Sequence, residues 1–381
     1  MRVFVYGTLC HLPLLDVVLG AGHTARIRTG FLPQHEVIWS PDGSWPHVRA
    51  ELTGIAPGLV VDDLSADHLA RLDYYEAAFG YQTRRVGVRV EDEDGSPAGE
   101  IAAAVYFSDV DHSDPGDLWH LPTWVAEHGA LAVETAQEAM SYFGELSAPE
   151  MGVRFGQMKS RAASRLRAAS EEPAQVSGFG VGDVTVADSR RPYSNFFVIQ
   201  EFDLSFRRFD GADSPQVTRA VFVGGDSALV LPYDPVRDLV LLLEQFRTGP
   251  FARGDNAPWT LEPIAGRVDH GETPADAAHR EANEEAGLAL SDLKEISAGY
   301  PSPGSTTEYF TLFCGICDLP DDAETVGGLA SEDEDIRTHL IEASRAIEMA
   351  DAAEIRVLPL VTALHWLARH RSDLRAAANV A

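Results

Sequence analysis

Three cysteines in 381 residues cannot build a disulfide framework, which points to a reducing compartment, read here as the cytoplasm. No apolar run approaches the ~18 residues that a membrane span requires. The opening Met1-Arg2-Val3-Phe4-Val5 resembles a signal peptide, but His11 and Asp16 interrupt its apolar stretch. The Val3/Val5 alternation fits a first strand better. Basic residues are scarce: 30 lysines and arginines against 59 acids leave a net charge of −29. That excess repels nucleic acid and anionic membranes, so neither is expected as the main partner. A polyanionic small molecule is still admissible if metal ions stand between. Among the thirteen histidines there is no helical pair at ligand spacing beside a third partner, which argues against zinc. Internal repeats are absent.

What is present describes a folded, soluble protein, 45% hydrophobic and 23% charged, long enough for two domains of ordinary size. From Val3 to about residue 110, short apolar runs alternate with turn residues. Val3–Tyr6, Gly58–Val61 and Arg85–Val90 read as strands, the last with Val86, Val88 and Val90 on one face. Leu64–Glu76 reads as a helix, and so does His112–Phe143. Beyond Gly144 comes a basic island, Arg154, Lys159, Arg161, Arg165 and Arg167, with no acid among those residues. It fits either a helix offering charge to a phosphate or a linker helix lying on the protein's own acidic surface. Strand signals return from Val184, including Phe196–Ile199, and a hairpin is expected around Tyr233–Asp238 between Ala228–Leu231 and Leu239–Leu243. A strand at Phe310–Cys317, an acidic loop at 331–335 and a terminal helix over Val361–Arg371 complete the pattern. Cys314 and Cys317 lie inside that strand, so they read as buried apolar residues rather than a redox pair.

The segment from Gly266 to Leu288 carries the strongest chemical signal. Thr273 suits an N-cap, Pro274 the first helical position, Asp276 the positive end of the dipole, and Gly287 a left-handed stop. A helix is therefore predicted over Pro274–Ala286. Glu281 and Glu285, four apart, share one face of it, and Arg280 can pair with Glu284. Glu272 can fold back toward the same carboxylates. Crowded carboxylates repel one another unless something cationic joins them, and a hard divalent ion such as Mg²⁺ prefers oxygen ligands of this kind. The plain alternative, an acidic helix laced by surface ion pairs, does not require loop, cap, stop and carboxylate spacing to coincide.

Gly266, Glu272, Arg280, Glu281, Ala282, Glu284, Glu285, Gly287 and Leu288 fill every fixed position of a Nudix box, which the segment resembles. The resemblance runs through about Val184–Leu374 and is nearest to ADP-ribose pyrophosphatases, with Pro303, Glu308, Glu244-Gln245-Phe246-Arg247 and Leu329–Arg337 continuing the match. It implies an α/β/α sandwich with a mixed sheet. It also implies that Glu281, Glu285 and the Ala265 carbonyl hold metal, with Glu334 as a further ligand and Glu332 as the residue that activates water. Which of Glu332 and Glu334 is the base stays open. Arg247 and Glu308 are implied as substrate contacts, Mg²⁺ as cofactor with Mn²⁺ as a substitute, and a homodimer as the assembly.

Tyr6-Gly7-Thr8-Leu9 follows the first strand, and Leu72-Asp73-Tyr74-Tyr75-Glu76, Tyr81 and Arg84 come later. Together they resemble the gamma-glutamylcyclotransferase-like family across about residues 1–110. There the Tyr6–Leu9 loop would bind a glutamyl group by its backbone, and Glu76 would shuttle a proton while the substrate's amine closes to 5-oxoproline. A binding module without catalysis is the alternative.

The resulting expectation is an α+β chain in two domains. A small mixed, β-barrel-like cyclotransferase fold spans 1–145, a linker with the basic helix 146–180, and the Nudix hydrolase 181–381. The same pairing is similar to proteins associated with tellurite resistance, a phenotype that supplies no chemistry. The expected activity is Mg²⁺-dependent hydrolysis of ADP-ribose, or a related nucleoside diphosphate sugar, to AMP and a sugar phosphate. A non-catalytic nucleotide sensor and a bifunctional protein with cyclotransferase activity are the rivals.

Overall fold

A computed structural model describes residues 1–40, 45–91, 96–108, 116–171, 176–321, 326–327 and 335–378. It divides into two compact units, Met1–Ser170 and Glu171–Ala381, so the chain is α+β in two domains.

In the first unit the strands are β1 (Val3–Val5), β2 (Arg26–Trp39), β3 (Pro46–Asp62), β4 (Tyr81–Glu91) and β5 (Pro97–Ser108). Their order is β1-β3-β2-β4-β5, and the sheet closes into a barrel because β1 also pairs with β5 in parallel. The join between β2 and β4 is short, at Gly30↔Val90 and Phe31↔Arg89. Strand alternation fills the interior with Phe4, Leu32, Ala56, Val88, Val90, Ala103 and Val105. Helix α1 (Leu12–Leu19), α2 (Ala66–Ala77), α3 (Leu121–Trp124), α4 (Ala130–Met140) and α5 (Ala148–Ser170) pack outside it. Of the helix expected over His112–Phe143, residues 112–115 lie outside the described residues, and from Gly116 on the chain becomes helical at Leu121, with Pro122 in the first turn. Just before it Trp119 donates to the Val37 carbonyl at 2.8 Å and Leu118 bridges to Ile38. Within the segment read as a connector, α5 buries Met151, Met158 and Ala162 in this unit's core. Its basic residues meet acids of α4, Arg161 with Glu138 at 2.5 Å and Arg165 with Glu134 at 2.6 Å.

The second unit opens with a three-stranded antiparallel sheet, β6 (Val184–Ser194), β7 (Val198–Phe206) and β8 (Val217–Val223). Phe196 and Phe197, expected within a strand, form the turn that precedes β7. The main sheet comprises β9 (Asp226–Asp234), β10 (Leu239–Phe246), β11 (Trp259–Glu262), β12 (Ile264–Arg267), β13 (Asp292–Gly299), β14 (Tyr309–Ile316), β15 (Val326–Gly327) and β16 (Ile336–Glu342). Its order is β13-β14-β9-β10-β16-β15, with β11 on β10 and β12 on β9. The β14–β9 pair is parallel and its neighbours are antiparallel, so the sheet is mixed. Asp234 accepts from the backbone N–H groups of Val236 and Arg237 and so fixes the β9–β10 hairpin.

Helices cover both faces of that sheet. Val230, Leu241, Leu243 and Phe313 meet Ala277, Ala278 and Ala282 of α7 (Pro274–Ala286), which follows the short helix α6 (Thr248–Arg253). Leu231, Tyr233, Val240 and Leu242 meet α8 (Ala343–Asp351) and α9 (Leu358–Ala378) through Ala343, Ala346, Leu360, Leu364 and Leu367. Near-continuous apolar strands are what two covered faces require, and the result is an α/β/α sandwich. Cys314 enters one of these cores and Cys317 the other, and burial pushes both thiols up to about 12. Among the described residues no helix is long and apolar enough to cross a membrane.

Candidate functional site

Helix α7 has the ends that its sequence demands. The Thr273 hydroxyl accepts from Asp276 N–H at 3.2 Å, the Asp276 carboxylate accepts from Thr273 N–H at 3.0 Å, and Gly287 closes the helix at φ +62°. This fixes where the acidic face points. Glu285 is buried at 7% exposure and its Oε2 accepts from Ala265 N–H at 3.2 Å. One turn earlier, Glu281 lies against Gly266; a Cβ at Gly266 would stand 1.7 Å from Glu281 Oε1. Both carboxylates therefore converge on the same two residues of β12.

Arg280 organises the surrounding acids. It donates to Glu272 at 2.7 Å, to Glu284 at 3.2 Å, to Glu281, and to the Arg267 carbonyl at 2.9 Å. Burial alone would raise the Glu272 carboxyl, but Arg280 and the Asp269 N–H hold it below its ordinary value. The side chains that meet at β12, Glu281 and Glu285, both present carboxylate oxygens, ligands of the kind a hard divalent cation prefers. The described residues contain no group of three or more His, Cys, Asp or Glu side chains at metal distance. Glu332 and Glu334, expected as base and further ligand, lie outside the described residues.

A cavity of about 800 Å³ opens beside β12, lined among others by Arg247, Glu262, Ala265, Gly266, Tyr300 and Glu308. It brings Arg247 and Glu308 together with the Ala265 backbone. Glu308 accepts from the Thr306 hydroxyl at 3.2 Å and packs so closely on Gly224 that a Cβ there would lie 2.4 Å from its Cγ. Glu244 sits apart from this lining and pairs with His339 at 2.8 Å. Glu262 carries no signal in the sequence, where it is a single acid ending a four-residue strand.

In the first unit β1 delivers the Tyr6–Leu9 loop. Gly7 holds φ +66°, and a Cβ there would lie 2.2 Å from Pro46 Cγ, so only glycine fits. Leu9 is buried, whereas Tyr6 and Thr8 are partly exposed. The Tyr6 hydroxyl donates to the Tyr106 carbonyl at 2.8 Å, and the Tyr106 hydroxyl donates to Asp73 at 2.7 Å. Glu76, on the last turn of α2, is pushed up to about 8 by burial. Tyr6 and Tyr81 are raised by burial and by the Glu76 charge, Tyr6 also by Tyr81. Tyr106, whose hydroxyl orients Asp73, carries no signal in the sequence beyond its place in an apolar strand.

Residues 225–361 match the model for the NUDIX domain, and residues 3–125 match the model for gamma-glutamyl cyclotransferase, AIG2-like. Over 197 residues the chain is 37% identical to ADP-ribose pyrophosphatase of Escherichia coli (strain K12), spanning 52% of this chain and 93% of that protein. It is 32% identical to ADP-ribose pyrophosphatase of Haemophilus influenzae, over 54% of this chain and 95% of the relative. GDP-mannose pyrophosphatase of Salmonella arizonae is 31% identical, over 50% and 97%. Identity sustained along nearly the whole of these relatives takes in the strand, loop and capped helix that gather Glu281 and Glu285, and through its second unit the chain belongs to the Nudix hydrolases.

Proposed function

We propose that the second unit hydrolyses the pyrophosphate of ADP-ribose, or a related nucleoside diphosphate sugar, to AMP and a sugar phosphate, with Mg²⁺ as the cofactor and Mn²⁺ as a substitute. The observation that carries this reading is the meeting of the Glu281 and Glu285 carboxylates at Ala265–Gly266, on the wall of the cavity. When bound, a divalent ion there would neutralise phosphate oxygens and lower the pKa of water. Glu281, Glu285 and the Ala265 carbonyl would hold it, joined by Glu334. Arg247 and Glu308, which line the same cavity, would orient the substrate. Glu332 would accept the proton of the attacking water, whose oxygen ends on one phosphate as the bridging P–O bond breaks. The names of the relatives support the substrate class.

The assembly would be a homodimer, a reading supported by β6, which is exposed along nearly its whole length and carries Val184, Val186 and Tyr193 on its surface. The partners would be small molecules in a reducing cytoplasm, with neither nucleic acid nor membrane among them. A sensor that binds without turnover is disfavoured by the complete set of box carboxylates.

A second reading concerns the first unit: a gamma-glutamyl compound would cyclise there, held by the Tyr6–Leu9 backbone, with Glu76 moving the proton. The raised Glu76 carboxyl among Tyr6 and Tyr81 favours it, since a group near neutrality can both give and take a proton. The deciding experiment is a screen of nucleoside diphosphate derivatives with and without Mg²⁺, products identified. Release of AMP from ADP-ribose supports the proposal, whereas tight binding with no hydrolysis of any compound favours the sensor.

A further inference from the structure

Glu262 is one of the few buried acids among the described residues of the second unit, at 7% exposure, and the proposed hydrolysis assigns it no role. Register explains how it meets Arg247. Gln245 stands opposite Thr260, Leu243 stands opposite Glu262, and Arg247 N–H donates to the Pro258 carbonyl at 2.9 Å. The Arg247 side chain turns back along this ladder and grips Glu262 with Nε at 3.0 and 3.1 Å and with Nη2 at 2.7 Å. Thr260 donates its hydroxyl to the same carboxylate at 2.5 Å. Both line the cavity, but the arginine side chain is 43% exposed and the acid only 10%, so the acid is the fixed end of the pair.

We propose that Glu262 is the positioning residue for Arg247, and this rests on the reading of Arg247 as a substrate contact. A planar guanidinium held along its Nε–Nη2 edge has lost its rotational freedom and turns its Nη1 edge away from the acid. Pro263 links Glu262 directly to β12, where Ala265 meets Glu285. One short stretch of chain thus sets the spacing between the arginine and the carboxylates on which a diphosphate must be aligned.

The test compares Mg²⁺-dependent ADP-ribose hydrolysis by wild type, Glu262→Gln, Arg247→Ala and the double variant, together with the ¹⁵N resonance of Arg247 Nε–H. Glu262→Gln is expected to raise KM on the order of tenfold with kcat nearly unchanged, and to add nothing on top of Arg247→Ala. Glu262→Asp, which keeps the charge, should recover part of the loss. A KM that rises in Arg247→Ala but not in Glu262→Gln, or effects that multiply in the double variant, overturns the proposal while leaving Arg247 as a contact. An unchanged KM in Arg247→Ala overturns the contact itself and the positioning role with it. Should Glu262→Gln fail to fold, the wild-type spectrum decides: a sharp, slowly exchanging Arg247 Nε–H is expected, and a freely rotating side chain overturns the proposal.

Discussion

At the scale of single residues, the decisive contacts are those in which no atom can be added. Gly266 has room for a hydrogen only, because Glu281 Oε1 occupies the place of a Cβ. The obstructing atom is the end of a flexible side chain, so Gly266→Ala should fold normally while driving the carboxylate off β12. A displacement of that size costs about a hundredfold in turnover, read as kcat beside an unchanged melting curve. Glu285→Gln should lower kcat by orders of magnitude with little effect on folding, and near-normal activity in that variant would count heavily against the scheme. Glu281 and Glu285 are legible in the sequence because helical spacing makes them neighbours whatever surrounds them. Glu262 is not, since its meaning comes from the register of β10 with β11. Glu76 is marked by its motif, but its environment is not, because burial of a carboxyl depends on residues brought in from β1 and β4. That environment has a sign. The folded-state value of about 8 exceeds the ordinary 4.5, so the native state holds its proton more tightly and loses stability as pH rises through that window. Glu76→Gln should therefore stabilise the first unit increasingly between those two pH values and no further above them, as measured by melting at a series of pH values.

At the scale of elements, α7 is legible to its last residue because its capping box, leading proline and terminal glycine are all local. Removing a local determinant should therefore have a local cost. Thr273→Ala is expected to lose about 1 kcal/mol, seen as a lower denaturation midpoint with an unchanged slope. The helix expected over His112–Phe143 shows the opposite case. Leu118 has helical spacing with Leu121 and Trp124, yet it and Trp119 are held extended by Ile38 and Val37 of β2, distant partners that no local pattern discloses. The hairpin at Tyr233–Asp238 is legible through its aspartates and proline, which make the turn by themselves. Strand β13 is hidden in the sequence because its exposed positions break the alternation that would mark it.

At the scale of the whole molecule, each unit carries its own core, and the two handle their acids in different ways. Burial pushes Glu76 toward its neutral form, whereas in the box Arg280 holds Glu272 below its ordinary value. A net charge of −29 makes every divalent ion a weak counterion to the surface, so a general effect of salt must be separated from a specific one. Calorimetry makes the separation. Two cores predict two transitions, and Mg²⁺ that binds the native second unit should raise one of them alone, by about 2.7 kcal/mol of stability at a hundredfold excess over its dissociation constant. Na⁺ at equal ionic strength should leave the gap between the transitions unchanged, chelator should restore the original trace, and Glu285→Gln should abolish the response. If Mg²⁺ instead shifts both transitions equally, the ion is acting on the surface charge at large, and the carboxylates that meet at Gly266 have no special claim on it.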